Sequence, residues 1–161
     1  MKSIKLSKRL AVIAELVEDN ASVVDVGTDH GFIPVFLAQT GKAKRIIASD
    51  ISAASLSAAR RTADEYDVSE SITFINTPGL DGINPGNVDT IIIAGLGGET
   101  IVRILEDTLW TRHNNVKLIL QPQSKLWVLF RFLYDCGHEI KQIKYIFEKN
   151  KRYSIIQAAT V

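Results

Sequence analysis

Short runs of aliphatic and β-branched residues alternate with stretches of helical periodicity through most of the chain, and this alternation constrains the fold most. Residues 22–27, 45–50, 71–76, 88–95 and 116–121 are rich in aliphatic and β-branched residues over lengths typical of strands and read as five buried strands. Helical patterns fill the intervals at about 31–39, 52–66, 97–109 and 124–135. A strand–helix–strand rhythm of this kind predicts parallel pairing, because parallel neighbours need a crossover long enough to hold a helix. Leu6, Leu10, Ile13 and Val17 fall on one helical face and predict an opening helix. Ser52 and Ser124 stand where N-caps belong, and Gly41 and Gly137 where helix-ending glycines belong. The rhythm breaks at the end. Residues 139–147 and 153–159 are two strand-like runs separated only by the polar stretch 148–152, which has no room for a helix. They are expected to pair as an antiparallel hairpin. The expected fold is α/β: a seven-stranded, mostly parallel sheet with helices on both faces, closed by that hairpin, in a single domain over 1–161.

Composition narrows the class. The 161 residues are 46% hydrophobic and 23% charged, the balance of a globular domain and not of a disordered chain. The single cysteine, Cys136, excludes an internal disulfide and a cysteine-rich zinc cluster, and no metal is expected. No apolar run approaches the roughly 20 residues that span a bilayer, and residues 1–9 lack the apolar stretch of a signal peptide. A cytoplasmic location without a membrane partner is therefore expected. The formal net charge of +1 hides an uneven distribution. Lys2, Lys5, Lys8 and Arg9 stand without an acid in residues 1–9, and Lys141, Lys144, Lys149, Lys151 and Arg152 face only Glu148 in residues 141–152. The rest of the chain carries ten bases and seventeen acids. Basic ends around an acidic middle suit either a nucleic-acid footprint or plain solvated lysines, and charge alone leaves both open.

The loop after the first strand carries the sharpest signal. It runs Asp25-Val26-Gly27-Thr28-Asp29-His30-Gly31, with Asp29 where a dinucleotide fingerprint would have glycine. A carboxylate there repels a pyrophosphate. S-adenosylmethionine has no phosphate and presents a sulfonium and an ammonium, which an acidic loop suits. Asp25 is placed to accept from the ammonium, and Gly27 lets the backbone approach a ligand without a Cβ in the way. Asp50 ends the second strand 23 residues beyond Gly27, where an acid accepts hydrogen bonds from ribose hydroxyls. Residues 76–81 are expected to close over the adenine, with Leu80 as an apolar face. The fourth strand ends in Ala94-Gly95-Leu96-Gly97-Gly98, whose glycines leave backbone exposed where a flat substrate enters. Gln121, after the fifth strand, either reads a base edge or satisfies local backbone.

Four segments resemble the bacterial tRNA (adenine-22-N1) methyltransferase family: Leu6-Ser7-Lys8-Arg9-Leu10, residues 25–34 from Asp25 to Pro34, residues 94–98 and Leu120-Gln121-Pro122. The resemblance covers essentially the whole chain in order. It implies a Rossmann-like class I methyltransferase fold, S-adenosylmethionine as methyl donor and N1 of a tRNA adenine as acceptor. Candidate cofactor contacts are Asp25, Gly27, Asp29, His30, Asp50, Ile51, Gly79, Leu80 and Ala94; candidate catalytic residues are Asp29, Phe32 and Gly95. Pro78 stands where the family tends to have asparagine, and Phe32 where tyrosine is common. The family also carries a further helical C-terminal domain, so tRNA is expected to bind this shorter chain weakly.

N1 of adenine is a neutral lone pair and needs no base, so alignment and exclusion of water are the expected work of the protein. The target base must first leave its stack. Phe32 is expected to stack on it, with a plain core position as the competing role, and Asp29 to accept from its N6 amino group. His30 is expected either to touch substrate or to pin the loop. Two alternatives stand beside this reading: a cofactor-binding module without catalysis, and an NAD-dependent oxidoreductase.

Overall fold

The structure, a computed structural model, describes residues 2–113 and 115–161. Its elements follow in order as α1 (Lys8–Glu15), β1 (Ala21–Val26), α2 (Phe32–Thr40), β2 (Ala43–Asp50), α3 (Ala53–Glu65), β3 (Thr73–Asn76), β4 (Thr90–Leu96), α4 (Gly98–Glu106), β5 (Lys117–Pro122), α5 (Leu126–Asp135), β6 (His138–Glu148) and β7 (Lys151–Thr160). The seven strands form one sheet in the order β3-β2-β1-β4-β5-β7-β6. Strands β1 to β5 pair in parallel, and β7 inserts antiparallel between β5 and β6. The order reverses between β1 and β4, and loops at such a switch point open a crevice at the C-terminal ends of the strands.

The central strands are buried on both faces, so alternate side chains feed two cores. Val24 and Val26 of β1, Ile91 and Ile93 of β4, and Leu118 and Leu120 of β5 pack with Ile101 and Leu105 of α4 and Leu129 and Leu133 of α5. Val23, Ile92 and Ile119, from the same strands, pack the other way with Ile13 of α1, Val35 and Leu37 of α2 and Ala63 of α3. Helices therefore cover both faces, α1–α3 on one and α4–α5 on the other. A strand that buries both its faces reads as a continuous apolar run, which is the pattern that marks β1, β4 and β5.

Element ends differ from the sequence expectation where local hydrogen bonds compete. The third strand begins at Thr73, not 71, because Ser69–Ser71 closes a 3₁₀ turn. Ser52 caps α3 as expected, its hydroxyl accepting from Ser55 N–H at 3.2 Å. Ser124 does not cap α5. Its backbone carbonyl accepts from Gly98 N–H at 2.8 Å, the left-handed Lys125 occupies the cap position, and the helix begins at Leu126. The hairpin turn is also tighter than expected. Lys149 and Asn150, with φ of 50° and 62°, form a two-residue turn between Glu148 and Lys151. Two consecutive positive φ values match the right-handed twist of the strands, and asparagine tolerates them well.

Candidate active site

Loops at the C-terminal ends of β1 to β5 enclose two adjoining hollows that share Gly27 and Leu96. The larger, about 630 Å³, is lined by Asp25, Asp29, His30, Phe32, Ala94 and Gly95 from the strand ends. Lys5, Arg9, Gln123, Lys149 and Tyr153 line it from elsewhere. The smaller, about 360 Å³, is lined by Asp50, Ile51, Thr77, Pro78, Gly79 and Leu80, with Ile104 from α4. The Leu96 side chain stands between the two, 3.7 Å from where a Cβ on Gly27 would be. The sequence-predicted residues are thus gathered at one place, divided between two hollows.

The β1 loop is held by its own backbone and by the neighbouring strand. Thr28 N–H donates to Ser49 O at 3.0 Å and Gly31 N–H to Thr28 O at 2.9 Å. Asp29, with φ of 53°, donates its N–H to Asp50 Oδ2 at 3.0 Å. Ser52 N–H donates to the other Asp50 oxygen at 2.9 Å. Each oxygen retains a second lone pair, so Asp50 both fixes the loop and keeps acceptors at the smaller hollow. Gly31 then turns the chain into α2 with φ of +72°, and a Cβ there would meet Ala59 Cβ at 2.8 Å. Only glycine satisfies both the angle and the close approach.

Asp25 is 5% exposed, and its Oδ2 accepts from Thr28 Oγ1 at 2.8 Å. Burial pushes its carboxyl up to about 7; the Thr28 hydroxyl opposes that shift and the charge of Asp50 adds to it. Asp29 and His30 are both exposed, and His30 Nε2 stands 3.7 Å from Asp29 Oδ2. The His30 ring stacks on Phe32, with centroids 5.5 Å apart and planes 23° from parallel. Phe32 is 41% exposed. It is therefore a wall of the hollow and not a plain core residue, and His30 leans outward over Phe32. Leu80 is 3% exposed and belongs chiefly to the core, with an edge at the smaller hollow.

Sequence reasoning missed the opposite wall. Arg9 of α1 donates from Nη1 to Gln121 Oε1 at 2.8 Å, and its guanidinium lies 5.6 Å over the Tyr153 ring. Lys8 N–H donates to Glu148 Oε1 at 3.0 Å, joining the start of α1 to the end of β6. Gln121 is fully buried. Its Oε1 also accepts from Gly95 N–H at 3.1 Å, and its Nε2 donates to Pro122 O at 3.0 Å. With its amide committed this way, Gln121 satisfies its surroundings and is not placed to read a base. The two basic clusters of the sequence were the only hint that both ends of the chain meet here. Among the described residues, no three His, Cys, Asp or Glu side chains gather to hold a metal ion, and no helix is long and apolar enough to cross a membrane.

An acid-lined loop beside an acid at the next strand end, on a sheet ordered β3-β2-β1-β4-β5-β7-β6, defines a class I methyltransferase-type domain. A family described as a methyltransferase domain matches residues 6–156. The tRNA (adenine(22)-N(1))-methyltransferase of Bacillus subtilis is 31% identical over 98% of this chain and 66% of its own length. A crystal structure of the B. subtilis M1A22 tRNA methyltransferase TrmK superposes with a TM-score of 0.92, at 30% identity over 99% of this chain and 68% of that one. M. capricolum TrmK, in complex with S-adenosyl-homocysteine, gives a TM-score of 0.87 at 28% identity, over 96% of this chain and 69% of that one. The chain belongs to the tRNA (adenine-22-N1) methyltransferase family. It spans 58% to 66% of the length of the curated tRNA methyltransferases it matches.

Proposed function

We propose that this chain transfers a methyl group from S-adenosylmethionine to N1 of adenine-22 in tRNA. The observation that carries the proposal is the division of the site. An apolar hollow edged by Asp50 suits a nucleoside, and the adjoining hollow has acids on one wall and bases on the other. A cationic cofactor also fits Asp25, because a buried carboxyl held up at about 7 gains from a neighbouring positive charge. When bound, the cofactor supplies an electrophilic methyl group on a sulfonium.

The residues then divide the work. Asp25 accepts from the cofactor ammonium, while Gly27, Asp29, His30 and Ala94 line its amino-acid end. Asp50 accepts from the ribose hydroxyls, and Ile51, Gly79 and Leu80 hold the adenine. Pro78 offers no side-chain donor, so recognition there falls to backbone groups. Phe32 stacks on the flipped target base, which enters over Gly95, and this face contact keeps N1 in line. Asp29 accepts from the N6 amino group and stabilises the positive charge left on the ring after transfer. Lys5 and Lys149 on the rim contact RNA phosphates. Two short basic clusters beside a remainder of ten bases and seventeen acids grip RNA weakly, so tRNA affinity is modest and salt-dependent. Residues 1–161 act as one cofactor-binding domain in this scheme, in the cytoplasm where tRNA is modified.

Calorimetry with S-adenosyl-homocysteine, followed by radiolabelled methyl transfer to tRNA and mapping of the product, tests the proposal. Micromolar binding and label at N1 of adenine-22 are expected. Binding without transfer would make the chain a cofactor-binding module, and binding of NAD instead would refute the cofactor assignment.

A further inference from the structure

On the β4–β5 side of the larger hollow, one polar side chain has no hydrogen-bond partner among the described residues. Gln123 follows β5, and its backbone N–H donates to Leu96 O at 2.8 Å, which ties its Cα to the end of β4. The side chain is exposed and lines the hollow. Its neighbour Gln121 is fully engaged with Arg9, Gly95 and Pro122. Gly95 has φ of +77°, and the place of its missing Cβ is 3.9 Å from Gln123 Nε2 and 3.9 Å from Arg9 Nη1, so both groups border the hollow at this glycine.

We infer that Gln123 reads the N6/N7 edge of the acceptor adenine and adds to the preference for adenine over guanine that the N1 lone pair already imposes. The inference rests on the proposed function and adds the residue that recognises the base. Transfer to N1 commits the Watson–Crick edge to the methyl group, which leaves N7 and the N6 hydrogen beside it. A glutamine amide offers one acceptor and one donor at a spacing that matches this pair. The N6 amino group has two hydrogens. The one on the N1 side goes to Asp29 and the one on the N7 side to Gln123 Oε1, so the two residues do not compete. Guanine presents O6 and N7, both acceptors, and leaves the amide oxygen facing another oxygen. Its N1 also carries a hydrogen, so it lacks the lone pair that attacks. Pyrimidines have no such edge.

The test pairs Gln123→Leu with a tRNA carrying 7-deazaadenine at position 22, in single-turnover transfer with enzyme in excess. A bidentate amide–adenine pair discriminates by roughly 5- to 150-fold. The wild type should lose part of that range on 7-deazaadenine, and Gln123→Leu a comparable or larger part on adenine. Gln123→Leu should lose nothing further on 7-deazaadenine, with affinity for S-adenosyl-homocysteine unchanged within about twofold. Losses that simply multiply, or a Gln123→Leu protein as fast as wild type on adenine, would overturn the inference. Loss of cofactor affinity in Gln123→Leu would also overturn it, by placing the residue in the cofactor site. A wild type that binds cofactor but methylates no adenine would refute the proposed function itself, which the cofactor and wild-type arms reveal independently of the variant.

Discussion

The two walls of the larger hollow are built in opposite ways. The acidic wall comes from one loop and the ends of adjacent strands, and its main tie, Asp29 N–H to Asp50 Oδ2, spans 21 residues. The basic wall joins residues far apart in the chain: Arg9 reaches Gln121 across 112 residues, and Lys8 reaches Glu148 across 140. A loop clamped by its own backbone and by the neighbouring strand is preorganised for a ligand, and its fixed dipoles cost nothing to align. A wall held by a few side-chain contacts between chain ends depends on the whole sheet being assembled first, and changes there are expected to leave cofactor affinity intact.

The largest effect belongs to Asp25. Its carboxyl, ordinarily near 3.8, is pushed up to about 7 by burial, against the Thr28 hydrogen bond and with the Asp50 charge adding to the rise. The unfolded chain therefore binds fewer protons than the folded one between about pH 4 and pH 7. Stability of the ligand-free protein should fall as pH rises through that window, by a few kcal/mol at most. Cofactor binding should run the other way, because an ammonium partner favours the charged carboxylate. Affinity for S-adenosyl-homocysteine should climb with pH up to about 7 and then level, with close to one proton released per ligand bound at pH 6. Calorimetry in buffers of different ionisation enthalpy measures that release. Asp25→Asn should abolish both trends, and persistence of either would move their origin to another group.

Next comes Asp50→Ala, which removes the proposed ribose acceptor and the clamp on the β1 loop together. Cofactor affinity should fall by about 1.5–3 kcal/mol, the usual range for hydrogen bonds to a charged group. Without an acceptor for Asp29 N–H, amides of the loop should also become exposed, measurable as faster hydrogen exchange at residues 28–31 in the ligand-free protein. Unchanged exchange with weakened binding would mean that the loop holds its shape alone.

The acidic wall was legible in the sequence for the same reason that it is rigid. Asp25, Gly27 and Asp29 lie within five residues of one another, and Asp50 falls at a predictable strand end. Period and turn chemistry therefore place them without any knowledge of the tertiary fold. The alternating runs likewise fixed the parallel sheet, since β1, β4 and β5 are apolar on both faces. The basic wall was not legible. Arg9 looked like one cation among four in residues 1–9, and nothing local pairs it with a buried glutamine on β5. Gln121 and Gln123 are the same residue type two positions apart, yet one is fully buried and the other exposed. Along β5 successive side chains point to opposite faces, but past Pro122 the strand ends and that alternation no longer applies. Capping failed as a guide at Ser124 because a backbone hydrogen bond from Gly98 took precedence over the local side-chain bond.

The smallest effect, and the one that bears most directly on the basic wall, is expected at Lys149. Lys149 stands first in the two-residue turn with φ of 50° and lines the larger hollow, on a turn anchored by Glu148 to the start of α1. A lysine there can touch a phosphate of the RNA next to the entering base without altering the hollow itself. Lys149→Gln keeps most of the side-chain length and the backbone conformation while removing the charge. Removing one lysine–phosphate pair lowers the slope of log affinity against log salt by about one. Lys149→Gln should reduce the slope by that amount, weaken tRNA binding only a few-fold at moderate salt, and leave cofactor affinity untouched. The difference from Asp50→Ala is then complete: one wall changes cofactor affinity, the other changes salt dependence alone. An unchanged slope would make Lys149 a solvated turn residue and shift the RNA contact to Lys5 and Arg9. A drop in cofactor affinity would show that the two walls are coupled through Lys8 and Arg9, and the contrast between them would fail.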